Sequence, residues 1–141
     1  MKWEKKHILE ENVEWRGLPE SEMKPFKAYV NEKTPGVCGT YAAASLTVLM
    51  AKREGVVTQS MEELLKGMEA SIEYALPYRG TFYWDVQRGL NNEWKKYGYK
   101  THFNLFSEKV VPGLLEDGVP VVVGTTTALG SPYKNHWLLV Y

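Results

Sequence analysis

The longest apolar stretch of the chain lies near its N-terminal third. Residues 38–55, CGTYAAASLTVLMAKREG, are apolar nearly all round, which predicts a helix buried at the centre of a domain. Pro35 and Gly36 form a turn signal before it, and Gly55 is a typical stop. The sequence therefore predicts a core helix that begins at Cys38.

Two further helices follow from capping and periodicity. Ser60 and Glu63 match a capping box that opens a helix over residues 61–76. Thr81 is predicted to cap a helix over residues 82–98. The apolar stripe of that helix has four members spaced four apart: Phe82, Val86, Leu90 and Trp94.

The C-terminal third has the pattern of strands. Residues 99–106 alternate between apolar and polar, residues 119–127 are strongly β-branched, and residues 136–141 form a final apolar run. A short helical piece is predicted to begin at Ser107. Helices that precede strands favour an α+β fold with a C-terminal antiparallel sheet.

The chain length of 141 residues is typical of one domain. Residues 1–33 are predicted to be an irregular lead-in with a short helix near 19–30, and residues 34–141 to form the domain. Because the chain stops in the apolar run NHWLLVY, we expect that the natural protein continues past Tyr141 or that a partner covers this end. An exposed strand edge there would favour a homodimer.

Composition narrows the function classes. Seventeen basic and 17 acidic residues argue against a nucleic-acid partner, and no run is apolar enough to span a membrane. A single cysteine cannot form an internal disulfide. The three histidines, His7, His102 and His136, are far apart, so no metal or other cofactor is predicted. The N-terminus lacks the apolar core of a signal peptide, which leaves the localisation open.

The position of Cys38 suggests chemistry. A helix N-terminus stabilises a thiolate, and the flexible Gly39 lets a substrate approach the backbone. A thiol nucleophile also needs a base. His136, at the head of the last strand and after a Gly/Ser/Pro loop, is the best candidate. His102 in mid-strand and His7 in the polar lead-in are weaker ones.

These residues resemble a known family. PGVCGTYAAA, GVPVVVG and the late NHWLLVY are similar to papain-like cysteine peptidases, in particular the bacterial branch of double-glycine (bacteriocin) leader peptidases, over residues 30–141. The resemblance implies a papain-like fold and hydrolysis of a peptide or protein substrate, with Cys38 as nucleophile and His136 as general base. Such relatives are often secreted by bacteria. The Gly-Ser-Cys-Trp pattern of papain itself is absent.

The sequence departs from this family at two places. The family has a Gln six residues before the cysteine as a donor to the oxyanion, and here that position is Glu32, which as a carboxylate only accepts hydrogen bonds. Asn31 would substitute if the loop is shifted by one residue, alongside the N–H of Gly39. The family's third residue, which follows the histidine, is missing, and Asn135 is a poor replacement.

Several alternatives stay open. Cys38 is either a nucleophile or a small buried apolar residue, and His136 either a base or a satisfied core histidine. The protein is then a cysteine peptidase, an inactive peptide-binding module on the same fold, or an amidase or transglutaminase-like acyl transferase. Tyr78, Phe82, Tyr83 and Tyr133 either line a peptide cleft or are ordinary surface aromatics, whereas Trp84 and Trp94 are predicted to lie in the core.

Overall fold

A computed structural model describes residues 17–31, 36–78 and 81–141. This part of the chain contains five α-helices and one two-stranded sheet. The helices are α1 (Glu20–Met23), α2 (Cys38–Glu54), α3 (Met61–Ile72), α4 (Tyr83–Trp94) and α5 (Ser107–Glu116). The strands are β1 (Val121–Thr125) and β2 (His136–Val140). The predicted α+β class is confirmed.

Helix α2 is the centre of the fold, as its all-round apolar sequence predicts. Ala43, Ala44 and Leu49 are almost fully buried, and α3, α4 and β2 all pack against the helix. Gly55 ends α2 in the left-handed conformation with φ of 66°, where its N–H bonds back to the last turn. Both ends of the core helix are therefore where the sequence places them.

Helices α3 and α4 cross closely. The capping box of Ser60 and Glu63 is present, and Leu64, Met68 and Ile72 form the buried face of α3. Gly89 of α4 sits against Ile72, because a Cβ built on this glycine would lie 2.6 Å from Ile72 Cδ1. A side chain at position 89 would push the two helices apart.

One face of the two-stranded sheet packs against α2. Strands β1 and β2 are antiparallel, and Gly124 pairs with Trp137. The Trp137 ring lies across this glycine, since a Cβ at Gly124 would lie 2.8 Å from Trp137 Cζ3. Val122 and Trp137 pack on the α2–α3–α4 core, and Leu139 packs on a second cluster that includes Leu49.

The prediction of a strand over residues 99–106 is wrong. This segment has no regular structure, and Thr101 is held instead by the Asn91 side chain, which accepts from its N–H and its hydroxyl at 2.9 Å each. Period-two alternation specifies a strand only where a partner strand is available, and here the neighbour is the end of α4.

Helix boundaries also differ in places. Phe82, not Thr81, is the N-cap of α4, because the Asp85 carboxylate accepts from the Phe82 N–H at 2.9 Å and starts the helix there. Helix α3 ends at Ile72, four residues early, and α4 passes into a 3-10 turn at Lys95–Tyr97. The short helices predicted near 19–30 and from Ser107 are confirmed. In the part of the chain that the structure describes, no helix has the length and apolarity needed to cross a membrane.

Candidate active site

Cys38 is the first residue of α2 and is half-buried. Val37 precedes it as the N-cap, and Gly36 turns the chain with a φ of 95°. The thiol therefore lies at the helix end whose backbone N–H groups point outward, as the sequence predicts. A fully buried apolar role does not fit its partial exposure.

His136 is the first residue of β2 and is also half-buried. Its backbone carbonyl accepts from the Thr125 hydroxyl at 3.3 Å, and its ring centroid lies 6.5 Å from that of Tyr133. Successive side chains of a strand point to opposite faces, so the imidazole leaves the strand on the face opposite Trp137.

Helix α2 and strand β2 are in contact through the second residue of each, Gly39 and Trp137. A Cβ built on Gly39 would lie 3.3 Å from Trp137 Cδ1 and 2.8 Å from Thr81 Cγ2. The Trp137 indole N–H also donates to the Thr81 carbonyl at 3.1 Å. Cys38 and His136 are each one residue away from this contact, although 98 residues separate them in sequence.

The thiol and the imidazole are not hydrogen-bonded to each other among the interactions of the described residues. Catalytic pairs are often loose without substrate and tighten in the complex. At the start of α2, the Thr40 N–H is bonded by Glu73 and the Tyr41 N–H by the Val37 carbonyl. Within the described ranges no hydrogen-bond acceptor is found for the N–H groups of Cys38 and Gly39, and Gly39 itself is buried.

A carboxylate that the sequence did not single out sits at this helix end. Glu73 follows the last turn of α3, and its Oε1 accepts from the Thr40 N–H at 3.3 Å and from the Thr40 hydroxyl at 2.9 Å. Its Oε2 accepts from the Thr81 hydroxyl. The sequence offers no local signal for this role, because 33 residues separate Glu73 from Thr40.

The remaining predicted site residues are less informative. Asn31 is half-exposed in the segment that follows the 3-10 turn Lys24–Ala28, and its proposed role as an oxyanion donor stays a prediction. Glu32 and Pro35 lie outside the described residues. His102 is exposed and lies in the segment 99–106, which has no regular structure. A surface pocket lined by Glu20, Ser21, Lys24 and Lys27 involves none of the site residues.

Exposed aromatic rings begin immediately after Thr81. Phe82 stacks on Trp84 with centroids 4.7 Å apart, and Tyr83 stacks on Phe103 at 3.8 Å. Tyr78 packs edge-on against Phe82 at 5.3 Å. We call these five residues the aromatic cluster: Tyr78, Phe82, Tyr83, Trp84 and Phe103. Phe82 and Trp84 are each 42% exposed, so the prediction that Trp84 lies in the core is wrong, whereas Trp94 is buried as predicted.

No family model, no curated protein and no solved structure matches the chain. Within the described residues, no group of three or more His, Cys, Asp or Glu side chains is placed to hold a metal ion.

Proposed function

We propose that the protein is a papain-like thiol hydrolase that cleaves a peptide or amide bond, with Cys38 as the nucleophile and His136 as the general base. One observation carries the proposal: the first turn of α2 and the start of β2 pack directly together through Gly39 and Trp137, 3.3 Å from a Cβ on the glycine to the ring. The position of the partly buried Cys38 at a helix N-terminus supports its role as nucleophile.

The chemistry follows from these groups. The His136 ring takes the thiol proton, and the Cys38 sulfur attacks the carbonyl carbon to form a C–S bond. The N–H groups of Cys38 and Gly39 hold the oxyanion. The imidazolium gives its proton to the leaving amine as the C–N bond breaks. Water, deprotonated by His136, then attacks the thioester, and the C–S bond breaks to release the acid and restore the thiol.

The test of this function is hydrolysis of a mixed peptide library, with new termini detected by mass spectrometry. We expect cleavage by the wild-type protein and a loss of at least about 1000-fold in Cys38→Ala. Methylamine added to the reaction separates the acyl-transferase alternative, because a transferase would give N-methylamide products in place of acids. Cleavage that persists in Cys38→Ala would contradict the proposal.

The aromatic cluster favours a second candidate, a non-catalytic peptide-binding module on the same fold. Contiguous exposed rings are typical of interaction surfaces, and these rings adjoin Thr81 at the candidate site. For this function the rings of Phe82 and Trp84 would bind apolar side chains of a peptide, and Cys38 would not be needed for binding.

Peptide binding to Cys38→Ala and to Phe82→Ala distinguishes the two functions. The binding module predicts unchanged affinity in the first variant, weaker affinity in the second, and no cleavage by the wild-type protein. Phe106→Ala is the matched control, because Phe106 is exposed but lies outside the aromatic cluster, beside Lys109. Equal binding by Phe82→Ala and the control would rule out the cluster as the binding surface.

A further inference from the structure

The carboxylate of Glu73 joins two segments of the candidate site. It accepts from the N–H and the hydroxyl of Thr40, two residues after Cys38, and from the hydroxyl of Thr81. Thr81 in turn accepts at its carbonyl from the indole N–H of Trp137, the neighbour of His136, at 3.1 Å. A chain of hydrogen bonds therefore runs from the turn that holds the thiol to the strand that holds the imidazole.

The arrangement has a clear electrostatic reason. Glu73 stands at the C-terminal end of α3, where the helix dipole disfavours an anion, and at the N-terminal end of α2, where it favours one. Thr40 is only 1% exposed, so its hydroxyl requires a partner inside the protein. The carboxylate supplies it and ties α3 to the first turn of α2 at the same time.

We propose that Glu73 is a positioning residue of the Cys38–His136 site. By holding the first turn of α2 against Thr81, and through Thr81 against Trp137, it fixes the thiol relative to the imidazole. Among the described residues Glu73 has no hydrogen bond to His136, so it acts on the pair through Thr40, Thr81 and Trp137. The inference rests on the proposed function, since it concerns the same Cys–His pair.

Other charged groups on the neighbouring elements do not make this link. Asp85 of α4 forms an ion pair with Arg88 at 2.7 Å. Glu69 lies one turn before Glu73 on α3, and β1, VVVGT, has no ionisable side chain. On β2 the ionisable side chain is His136 itself.

A double-mutant cycle on thiol reactivity tests the inference. Cys38 is the only cysteine of the chain, so the alkylation rate with iodoacetamide reports on this residue alone. A paired imidazole promotes the thiolate, so His136→Ala should slow alkylation at pH 6.5 by about tenfold in the wild-type background. In the Glu73→Ala background we expect the same substitution to change the rate by less than about twofold, because residues acting through one another are not additive.

Matched variants separate positioning from a general loss of stability. Glu73→Gln keeps the acceptor for Thr40 and offers a donor to the Thr81 oxygen, so the full effect of His136→Ala should return. Glu69→Ala should also leave that effect intact. Should Glu73→Ala fail to fold, Thr81→Val removes one donor to Glu73 with little change of shape and should give the same loss of coupling.

Two results would overturn the inference, and they differ. If His136→Ala slows alkylation equally with and without the Glu73 carboxylate, Glu73 does not position the pair, and the proposed function stands. If His136→Ala has no effect in the wild-type background, the Cys–His pair itself is absent, and both the proposed function and the role of Glu73 fall.

Discussion

Gly39 of α2 lies against the indole ring of Trp137 at the start of β2, with 3.3 Å from a Cβ built on the glycine to Trp137 Cδ1. Each residue is the next neighbour of a candidate catalytic residue. The contact brings the start of the core helix and the start of the final strand together, and it leaves no room for a side chain. Because of this contact, we expect the candidate active site to be sensitive to substitutions at Gly39 and Trp137, although neither side chain takes part in the proposed reaction.

Gly39→Ala should destabilise the protein. Alanine in a helix interior normally stabilises by up to about 1 kcal/mol relative to glycine, but overpacking costs about 1–3 kcal/mol. A Cβ here would lie 2.8 Å from Thr81 Cγ2, so we expect overpacking to win and the free energy of unfolding to fall. Urea denaturation measures it.

Gly67→Ala is the control for this substitution. Gly67 lies in α3, and a Cβ there would meet nothing within 4 Å, so alanine should raise the free energy of unfolding. If both variants are stabilised, the close contact between Gly39, Thr81 and Trp137 is not present in solution.

Trp137→Phe should cost about 1–3 kcal/mol, because the Thr81 carbonyl loses the indole donor at 3.1 Å and no equivalent group replaces it. Thermal unfolding followed by circular dichroism measures the loss. Trp84→Phe is the matched change at an exposed tryptophan, whose N–H bonds to the Tyr78 hydroxyl, and water can replace that bond. A larger loss at Trp84 would contradict the contribution that we assign to the hydrogen bond between Trp137 and Thr81.

Asp85→Ala should be strongly destabilising. Asp85 is fully buried, accepts from the Phe82 N–H, and pairs with Arg88 at 2.7 Å. Removing one partner of a buried pair costs about 3–5 kcal/mol, and because Arg88 is partly exposed we expect a value at the lower end. Asp117→Ala, at an exposed aspartate after α5, should change the free energy of unfolding by less than about 0.5 kcal/mol.

The capping box of α3 should contribute to acid sensitivity. Hydrogen bonds from the Ser60 N–H and hydroxyl hold the pKa of Glu63 below its ordinary value of 4.5. A carboxylate with a lowered pKa in the folded state stabilises the protein above the unfolded-state value, and this contribution is lost as the pH falls through the folded-state value.

Glu63→Gln should therefore flatten the fall of the melting temperature between pH 6 and pH 3. Ser60→Ala, which removes the hydroxyl donor, should flatten it in the same direction. Melting curves that shift in parallel for the variant and the wild-type protein across this range would show that Glu63 does not titrate differently in the folded state.

Local signals predicted the parts of the fold that local interactions decide. The ends of α2 follow from a glycine turn before Cys38 and a left-handed Gly55, and the start of α3 follows from Ser60 and Glu63. Tertiary contacts decided the rest. Residues 99–106 alternate like a strand, yet they are held by side chains of α4 such as Asn91.

The candidate site was predictable in part for the same reason. Cys38 and His136 stand at the starts of elements, which sequence can show. The prediction that Trp84 lies in the core is wrong because this residue is two positions, or about 200°, from Val86 on α4 and so faces away from the core. Glu73 acts across 33 residues through Thr40, a distance that no local pattern reports.

The most direct test of the central claim is the alkylation rate of Cys38 between pH 5 and pH 9 in the wild-type protein, His136→Ala and His102→Ala. A thiol paired with an imidazole should react well below the pH of about 8.5 at which a free thiol titrates. We expect that low-pH reactivity in the wild-type protein and in His102→Ala, and its loss in His136→Ala. A wild-type rate that rises only near pH 8.5 and is unchanged by His136→Ala would contradict the account.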